Sequence, residues 1–175
     1  MFKLKRKRKS AKQLKEDKKS IKKLKDVIDE LLKEEEAFRR KGYPRAGAFD
    51  RLSMIIIENI ADKKILMSFF YPAPQMLYKK EIIIKGEIEE LISTSTILPI
   101  NALLLVGYHS SLGVVKYGEK LNLQLAQLEQ GIFLQALHQK LCEKKVKNHL
   151  QGGLRLENLS VALALDMQGI SGLVV

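Results

Sequence analysis

The segment from residue 116 to residue 138 constrains the fold of this chain more than any other stretch. It opens with Lys116, Tyr117 and Gly118, and it continues as an apolar pattern with helical spacing. The members of that pattern are Leu121, Leu125, Leu128, Ile132, Gln135 and Leu137. We therefore expect a long helix in the core of the fold, with a titratable Lys-Tyr pair at its amino-terminal end.

The positive charge of the chain is concentrated at its amino terminus. The whole sequence has a formal net charge of +11, and residues 1–25 contain 13 Lys and Arg against two Asp and Glu. These first residues therefore carry the entire net charge, and the remainder is balanced. We predict a basic N-terminal extension over residues 1–25 and one folded domain over residues 26–175.

The extension leads into an amphipathic helical pattern over residues 21–32. A basic helix can bind an acidic membrane surface or nucleic acid. Alternatively, its apolar stripe can dock on the domain or on a partner subunit. We favour docking, because runs of charge are common on solvated surfaces, and we expect nucleic acid not to be a partner.

Several classes of protein are disfavoured by what the sequence lacks. No apolar stretch reaches the roughly 18 residues of a membrane-spanning helix, and the amino terminus has no apolar segment of a secretory signal. Cys142 is the single cysteine, so an internal disulfide is excluded, which favours a cytoplasmic location. We expect Cys142 to be a small buried hydrophobic residue. One Cys and three scattered His residues predict no metal site.

A loop rich in Gly, Pro and Arg occupies residues 38–48, with the sequence FRRKGYPRAGA. The guanidinium group of arginine forms paired hydrogen bonds with phosphate, so three arginines in a loop suit an anionic ligand. An ordinary surface loop with scattered arginines is the alternative interpretation of this segment alone.

Apolar runs predict the strands of a sheet. Residues 53–57 form one run, and residues 65–71 and 76–84 form two that are separated by Pro72-Ala73-Pro74, as in a hairpin or an edge pair. Residues 101–108 predict a central strand that is buried on both faces. We expect a short helix over residues 87–92, a loop at His109 and a final strand over residues 172–175.

In this order, the segments resemble the SagB/McbC-type flavin dehydrogenases, which have the nitroreductase fold and oxidise azolines to azoles in ribosomally made peptides. Four features carry the resemblance. They are Lys-Tyr-Gly-Glu at 116–119, Leu-Glu-x-Gly-x-x-x-Gln at 128–135, the arginine loop and Gly-Gly at 152–153. The resemblance extends, in ordered patches, over most of the chain beyond the basic extension.

The resemblance implies an α+β, nitroreductase-like fold, with an antiparallel-rich sheet flanked by helices and, here, a basic helical N-terminal extension. It implies a homodimer with FMN at the subunit interface, a peptide substrate and assembly with a cyclodehydratase. Lys116 and Tyr117 would then be the catalytic base for the ring proton. The implied cofactor-binding residues are Arg39, Arg40, Pro44, Ala46, Gly47, Gln135, Gly152 and Gly153.

The sequence departs from the family pattern in ways that leave alternatives open. Arg45 replaces a small residue, Ala136 follows Gln135 where the family has Asn, and the Gly-Leu-Gly turn expected near residue 142 is absent. The chain is also short for the family. A non-catalytic subunit or scaffold of a peptide-modifying complex is therefore the second interpretation, and a basic nucleic-acid-binding module is the third.

Overall fold

The computed structural model describes residues 11–33, 52–60, 64–72, 77–92, 100–109, 113–152, 154–155 and 167–175. These residues form two α-helices, one short 3₁₀ helix and six strands. In chain order they are α1 (Ala11–Leu32), β1 (Leu52–Asn59), β2 (Lys64–Pro72), β3 (Leu77–Lys85), the 3₁₀ helix (Ile88–Leu91), β4 (Ala102–Tyr108), α2 (Val114–Glu143), β5 (His149–Gln151) and β6 (Gln168–Val174). The described part of the chain is therefore α+β, as predicted.

The six strands form one sheet in the order β3-β2-β1-β4-β6-β5, and every neighbouring pair is antiparallel. The two predicted runs around Pro72 pair as β2 and β3 at one edge of the sheet, which confirms the predicted edge pair. All seven residues of β4 are buried, which confirms the predicted central strand. The antiparallel order agrees with the antiparallel-rich sheet expected from the sequence.

Both faces of the central strands are covered, and this explains their continuous apolar sequences. Along β1, Met54 and Ile56 face the core that includes α1 and α2. Ile55 and Ile57 face a second core on the opposite side, which includes the 3₁₀ helix. A strand between two cores needs apolar side chains at every position, whereas a half-exposed strand would alternate.

Helix α1 docks on the domain through its apolar stripe, which confirms the docking interpretation. Leu24, Val27, Ile28 and Leu31 are completely buried in the first core. Each such side chain contributes roughly 1.5–3 kcal/mol on burial. The helix is continuous through residue 25, so the proposed division of the chain at that residue falls inside α1 and stays a prediction.

Charged side chains join the exposed side of α1 to the rest of the domain. Lys25 pairs with Glu58 of β1, and Glu30 pairs with Lys140 and Lys144 near the end of α2. The hydrogen bond from Lys140 is the main cause that lowers the pKa of Glu30 below its ordinary value. The pairs of Glu30 are exposed to solvent, so they orient α1 more than they stabilise it, whereas the Lys25–Glu58 pair is partly buried.

The predicted long helix is confirmed as α2, but the prediction of which side chains face the core is only partly right. Leu137 is buried and Ile132 packs against the core, whereas Leu121 and Leu128 are 47% and 56% exposed and Gln135 is exposed as well. The buried face of α2 comprises Asn122, Ala126, Glu129, Gln130, Phe133, Leu134, Leu137 and Leu141. Three of these are polar, so a search for apolar spacing misses part of the buried face.

Neither described helix combines the length and the apolar character needed to cross a membrane.

Candidate functional site

The amino-terminal turn of α2 is separated from the rest of the helix by its glycines. Gly113 caps the turn with φ of 87°, and Gly118 interrupts the helix with φ of 72° and ψ of 164°. Other residues rarely adopt such positive φ values. The N–H of Tyr117 donates to the carbonyl of Gly113 at 2.9 Å. Residues 114–117 therefore form one turn between two glycines, and this turn carries the predicted catalytic pair.

Lys116 and Tyr117 form a unit on this turn. The Nζ atom of Lys116 lies 4.9 Å from the centre of the Tyr117 ring, which is the geometry of a cation–π contact. Lys116 is exposed and Tyr117 is half-buried. The predicted pair therefore presents an amine and a phenol together at the surface.

Gln130 attaches α2 to an irregularity in the sheet near the end of β4. The pairing of β4 with β6 shifts between Val106 and Tyr108. The Gln130 side-chain amide donates hydrogen bonds to the carbonyl oxygens of Val106 and Gly169, both at 2.6 Å. Two carbonyl groups at the shift are thereby satisfied by one buried side chain, which fixes the height of α2 along the sheet.

Gly169 and Tyr108 complete this junction. Gly169 has φ of 56°, and a Cβ atom there would lie 2.2 Å from Cε1 of Tyr108. Tyr108 is buried. The aromatic ring therefore packs directly on the glycine backbone. This contact holds Tyr108, the last residue of β4, in place.

His109 has a side-chain partner that the sequence did not reveal. Its Nε2 atom lies 2.6 Å from Oγ of Ser53 in β1, and Ser53 is buried. In the sheet register Ser53 lies opposite Gly107, and His109 is two residues further on the same face. The imidazole therefore satisfies a buried hydroxyl. Only the strand register could have indicated this pair.

Gln135, a predicted cofactor residue, lies in a shallow, open groove on the outer face of α2, lined by residues of this helix. The groove is lined by Gln127, Leu128, Gly131, Ile132, Gln135, Ala136 and Gln139. From Glu119, the first residue after the interruption, a rise of 1.5 Å per residue places Gln135 roughly 24 Å further along the helix. One chain therefore does not bring Gln135 together with the Lys-Tyr pair.

Gly152 lies two strands away from the middle of β4. It directly follows β5, whose Gln151 pairs with Gly172 of β6, and Gly172 pairs with Leu105 of β4. Gln151 and Leu105 are therefore two strand spacings, about 10 Å, apart across the sheet. Gly152 is exposed, with open space where a Cβ atom would stand. The other predicted cofactor residues, Arg39, Arg40, Pro44, Ala46, Gly47 and Gly153, lie outside the described residues.

The prediction that Cys142 is buried is wrong. Cys142 is exposed near the end of α2, and Nε2 of His138 lies 3.9 Å from its sulfur atom. On the other side of the imidazole, Oδ1 of Asn148 lies 2.6 Å from Nδ1 of His138. Cys142 faces outward because Leu141, its neighbour, occupies the core. Within the described ranges, no group of three or more His, Cys, Asp or Glu could hold a metal ion.

Comparison with known proteins shows the fold of this chain and nothing finer. No protein-family model matches the sequence, and no curated protein matches it. The structure is similar to a chain of the E. coli microcin synthetase McbBCD complex, solved with truncated pro-MccB17 bound, with a TM-score of 0.64 and 15% sequence identity. The similarity covers 89% of this chain and 62% of that chain, so this chain spans less than two thirds of the matched one.

Proposed function

We propose that this chain is an FMN-dependent oxidoreductase that oxidises thiazoline or oxazoline rings to azoles in a ribosomally synthesised peptide. The observation that carries the proposal is the Lys116–Tyr117 pair, exposed on a turn between two glycines. It is supported by a fold similar to that of a chain in a microcin synthetase complex. A peptide substrate and assembly with a cyclodehydratase are parts of the same proposal.

The proposed chemistry divides two hydrogens of the azoline ring between two acceptors. FMN, when bound, accepts a hydride equivalent. The chain must then remove a proton from the same ring, and the acceptor would be Lys116 in its unprotonated amine form or Tyr117 in its phenolate form. Because the 4.9 Å contact holds the two side chains together, both can address one substrate ring.

We assign the ring system of FMN to the open groove on α2. Side-chain amides both donate and accept hydrogen bonds, so Gln135 and its neighbours Gln127 and Gln139 suit the polar edge of the flavin. Leu128 and Ile132 supply apolar contact for its face. The residues lining the groove include no cation, so we assign the FMN phosphate to Arg39 and Arg40.

The distance between Lys116 and Gln135 is the reason to propose a homodimer. A single substrate ring cannot reach both ends of the outer face of α2. Two antiparallel copies of α2 that cross near the middle of the helix would bring the turn with Lys116 in one copy towards Gln135 of the other. Such a contact would cover Leu121 and Leu128, which are exposed in one chain.

Mixing two inactive variants tests this two-chain site. Lys116→Ala and Gln135→Ala should each abolish most oxidation alone, since each removes one part of both sites. Unfolding and refolding them together should restore about a quarter of wild-type activity, because half of the dimers are mixed and each mixed dimer has one intact site. The measurement is azoline oxidation at fixed total protein with added FMN.

The matched control is a mixture of Lys116→Ala with Tyr117→Phe. Both changes fall on the same half of the proposed site, so this mixture should recover no activity beyond that of its components. Absence of recovery in the first mixture, with both variants folded and dimeric, would contradict the two-chain site.

A non-catalytic subunit of a peptide-modifying complex is the second candidate function. The separation of Lys116 from Gln135 within one chain favours this candidate, because a non-catalytic subunit does not require these residues to form one site. This candidate predicts that the purified protein binds neither FMN nor an azoline peptide, whatever its oligomeric state.

A further inference from the structure

Strand β3 forms an outer edge of the sheet, remote from α2. It pairs with β2 along its whole length, from Leu77 to Lys85, and none of the described strands pairs with its other side. In an antiparallel pair, every second residue directs its N–H and C=O away from the neighbour. An edge of this length is a ready template for another strand.

The second half of β3 exposes a short pattern on one face. Glu81, Ile83 and Lys85 are exposed, and Ile83 is 60% exposed although it is a large apolar residue. The intervening residues Ile82 and Ile84 pack against the second core. The face that holds Glu81, Ile83 and Lys85 is therefore the one a neighbouring strand would share.

This pattern is complementary to itself in the antiparallel direction. If a second copy of β3 lies antiparallel with Ile83 opposite Ile83, Glu81 of each copy lies opposite Lys85 of the other. A two-fold contact requires a patch that complements itself, and the charges of this segment satisfy that condition.

The residue of β2 opposite Lys85 is also a lysine, which favours an acidic residue on the other side of Lys85. Lys64 lies directly opposite Lys85 in the β2–β3 register. Like charges in opposite positions of a sheet repel each other. A carboxylate on the free side of Lys85 would offset this repulsion, and Glu81 of a second copy is the group that the symmetry supplies.

We propose that two copies of this chain join edge to edge through β3, antiparallel about a two-fold axis at Ile83. The two sheets then become one continuous sheet, with main-chain hydrogen bonds across the axis and charged pairs on either side of Ile83. The occupant of the edge is thus a second copy of the same chain. The contact uses a different surface from the outer face of α2 and does not depend on the proposed oxidation.

Charge exchange across the axis gives a direct test. Glu81→Lys places a lysine opposite Lys85, and Lys85→Glu places a glutamate opposite Glu81, so each change turns two attractive pairs into repulsive ones. Each single variant should dimerise through β3 at least about tenfold more weakly than wild type in sedimentation equilibrium. The double variant Glu81→Lys/Lys85→Glu should recover wild-type affinity, because it restores both pairs.

The two single variants should also form a mixed dimer when combined. The Glu81→Lys copy then has lysine at both positions and the Lys85→Glu copy has glutamate at both, so every pair across the axis is attractive. Lys22→Glu on α1 is the matched control for Lys85→Glu, because it makes the same change of charge at an exposed position away from β3. Equal dimerisation of wild type and both single variants, or no recovery in the folded double variant, would overturn the proposal.

A cysteine at the axis identifies the contact independently of any association through α2. Opposite residues at the centre of an antiparallel pair have Cα atoms about 4.5–5.5 Å apart, within the range of a disulfide. Ile83→Cys in a Cys142→Ser background should give a covalent dimer on mild oxidation. Ile60→Cys, at another exposed apolar position, should not. Equal cross-linking of both variants, or none for Ile83→Cys, would also overturn the proposal.

Discussion

Lys116→Ala should reduce azoline oxidation by about 10²–10⁴-fold, the usual cost of removing a general base. FMN affinity should remain close to that of wild type, because the lysine is proposed to handle the proton and not to bind the cofactor. The side chain is exposed and lies over the ring of Tyr117, so the fold should tolerate the change. Single-turnover oxidation rates and an FMN titration measure the two effects separately.

Tyr117→Phe is the companion variant. It retains the ring that packs at the start of α2 and removes only the hydroxyl, whereas Ala would also remove half-buried packing. A larger loss in Lys116→Ala would identify the amine as the proton acceptor, and a larger loss in Tyr117→Phe would identify the phenol. Full oxidation by folded Lys116→Ala protein would refute a catalytic role for this turn.

Gly169→Ala should destabilise the domain by about 2–5 kcal/mol. A left-handed conformation costs a residue with Cβ about 1–2 kcal/mol, and crowding in a packed core adds about 1–3 kcal/mol. Both apply here, because φ is 56° and the new Cβ atom would lie 2.2 Å from Cε1 of Tyr108. The free energy of unfolding in urea, compared with wild type, measures the effect.

Gly152→Ala is the matched control for stability. A Cβ atom at Gly152 would meet open space, so its free energy of unfolding should stay within about 0.5 kcal/mol of wild type. Equal stability of Gly169→Ala and wild type would show that Tyr108 does not pack on the backbone of residue 169.

The strands could be predicted from the sequence because their burial is reflected directly in their composition. Residues 101–108 are apolar at nearly every position, as a strand between two cores requires. The pairing of β2 with β3 could also be predicted from the sequence, because two β-prone runs flank Pro72-Ala73-Pro74. In both cases a local property of the chain determined the element and its place in the sheet.

The orientation of α2 could not be predicted in the same way. Its buried face includes Asn122, Glu129 and Gln130, and hydrophobic spacing gives no weight to such residues. Gln130 is buried because two carbonyl groups of the irregular β4–β6 pairing require its amide. That requirement arises from the register of two strands far apart in the sequence, so it becomes visible only once the sheet is assembled.

The sequence placed Lys116 and Tyr117 at a helix start marked by glycine, and the structure has them on a separate turn before the break at Gly118. Their catalytic role stays a prediction. The Ser53–His109 pair was missed, since the two residues meet only through the β1–β4 register. Gln135 was chosen by resemblance, and whether it binds FMN depends on a second chain that a sequence does not reveal.

Oxidation of an azoline by this protein with FMN can be measured in one assay. The purified protein is incubated with FMN and a synthetic peptide that contains one thiazoline ring, and the peptide is followed by mass spectrometry. We expect bound flavin and a mass loss of about 2 Da, from the removal of two hydrogens, that requires both protein and FMN. A protein that binds no flavin and leaves the thiazoline unchanged would contradict the proposed function.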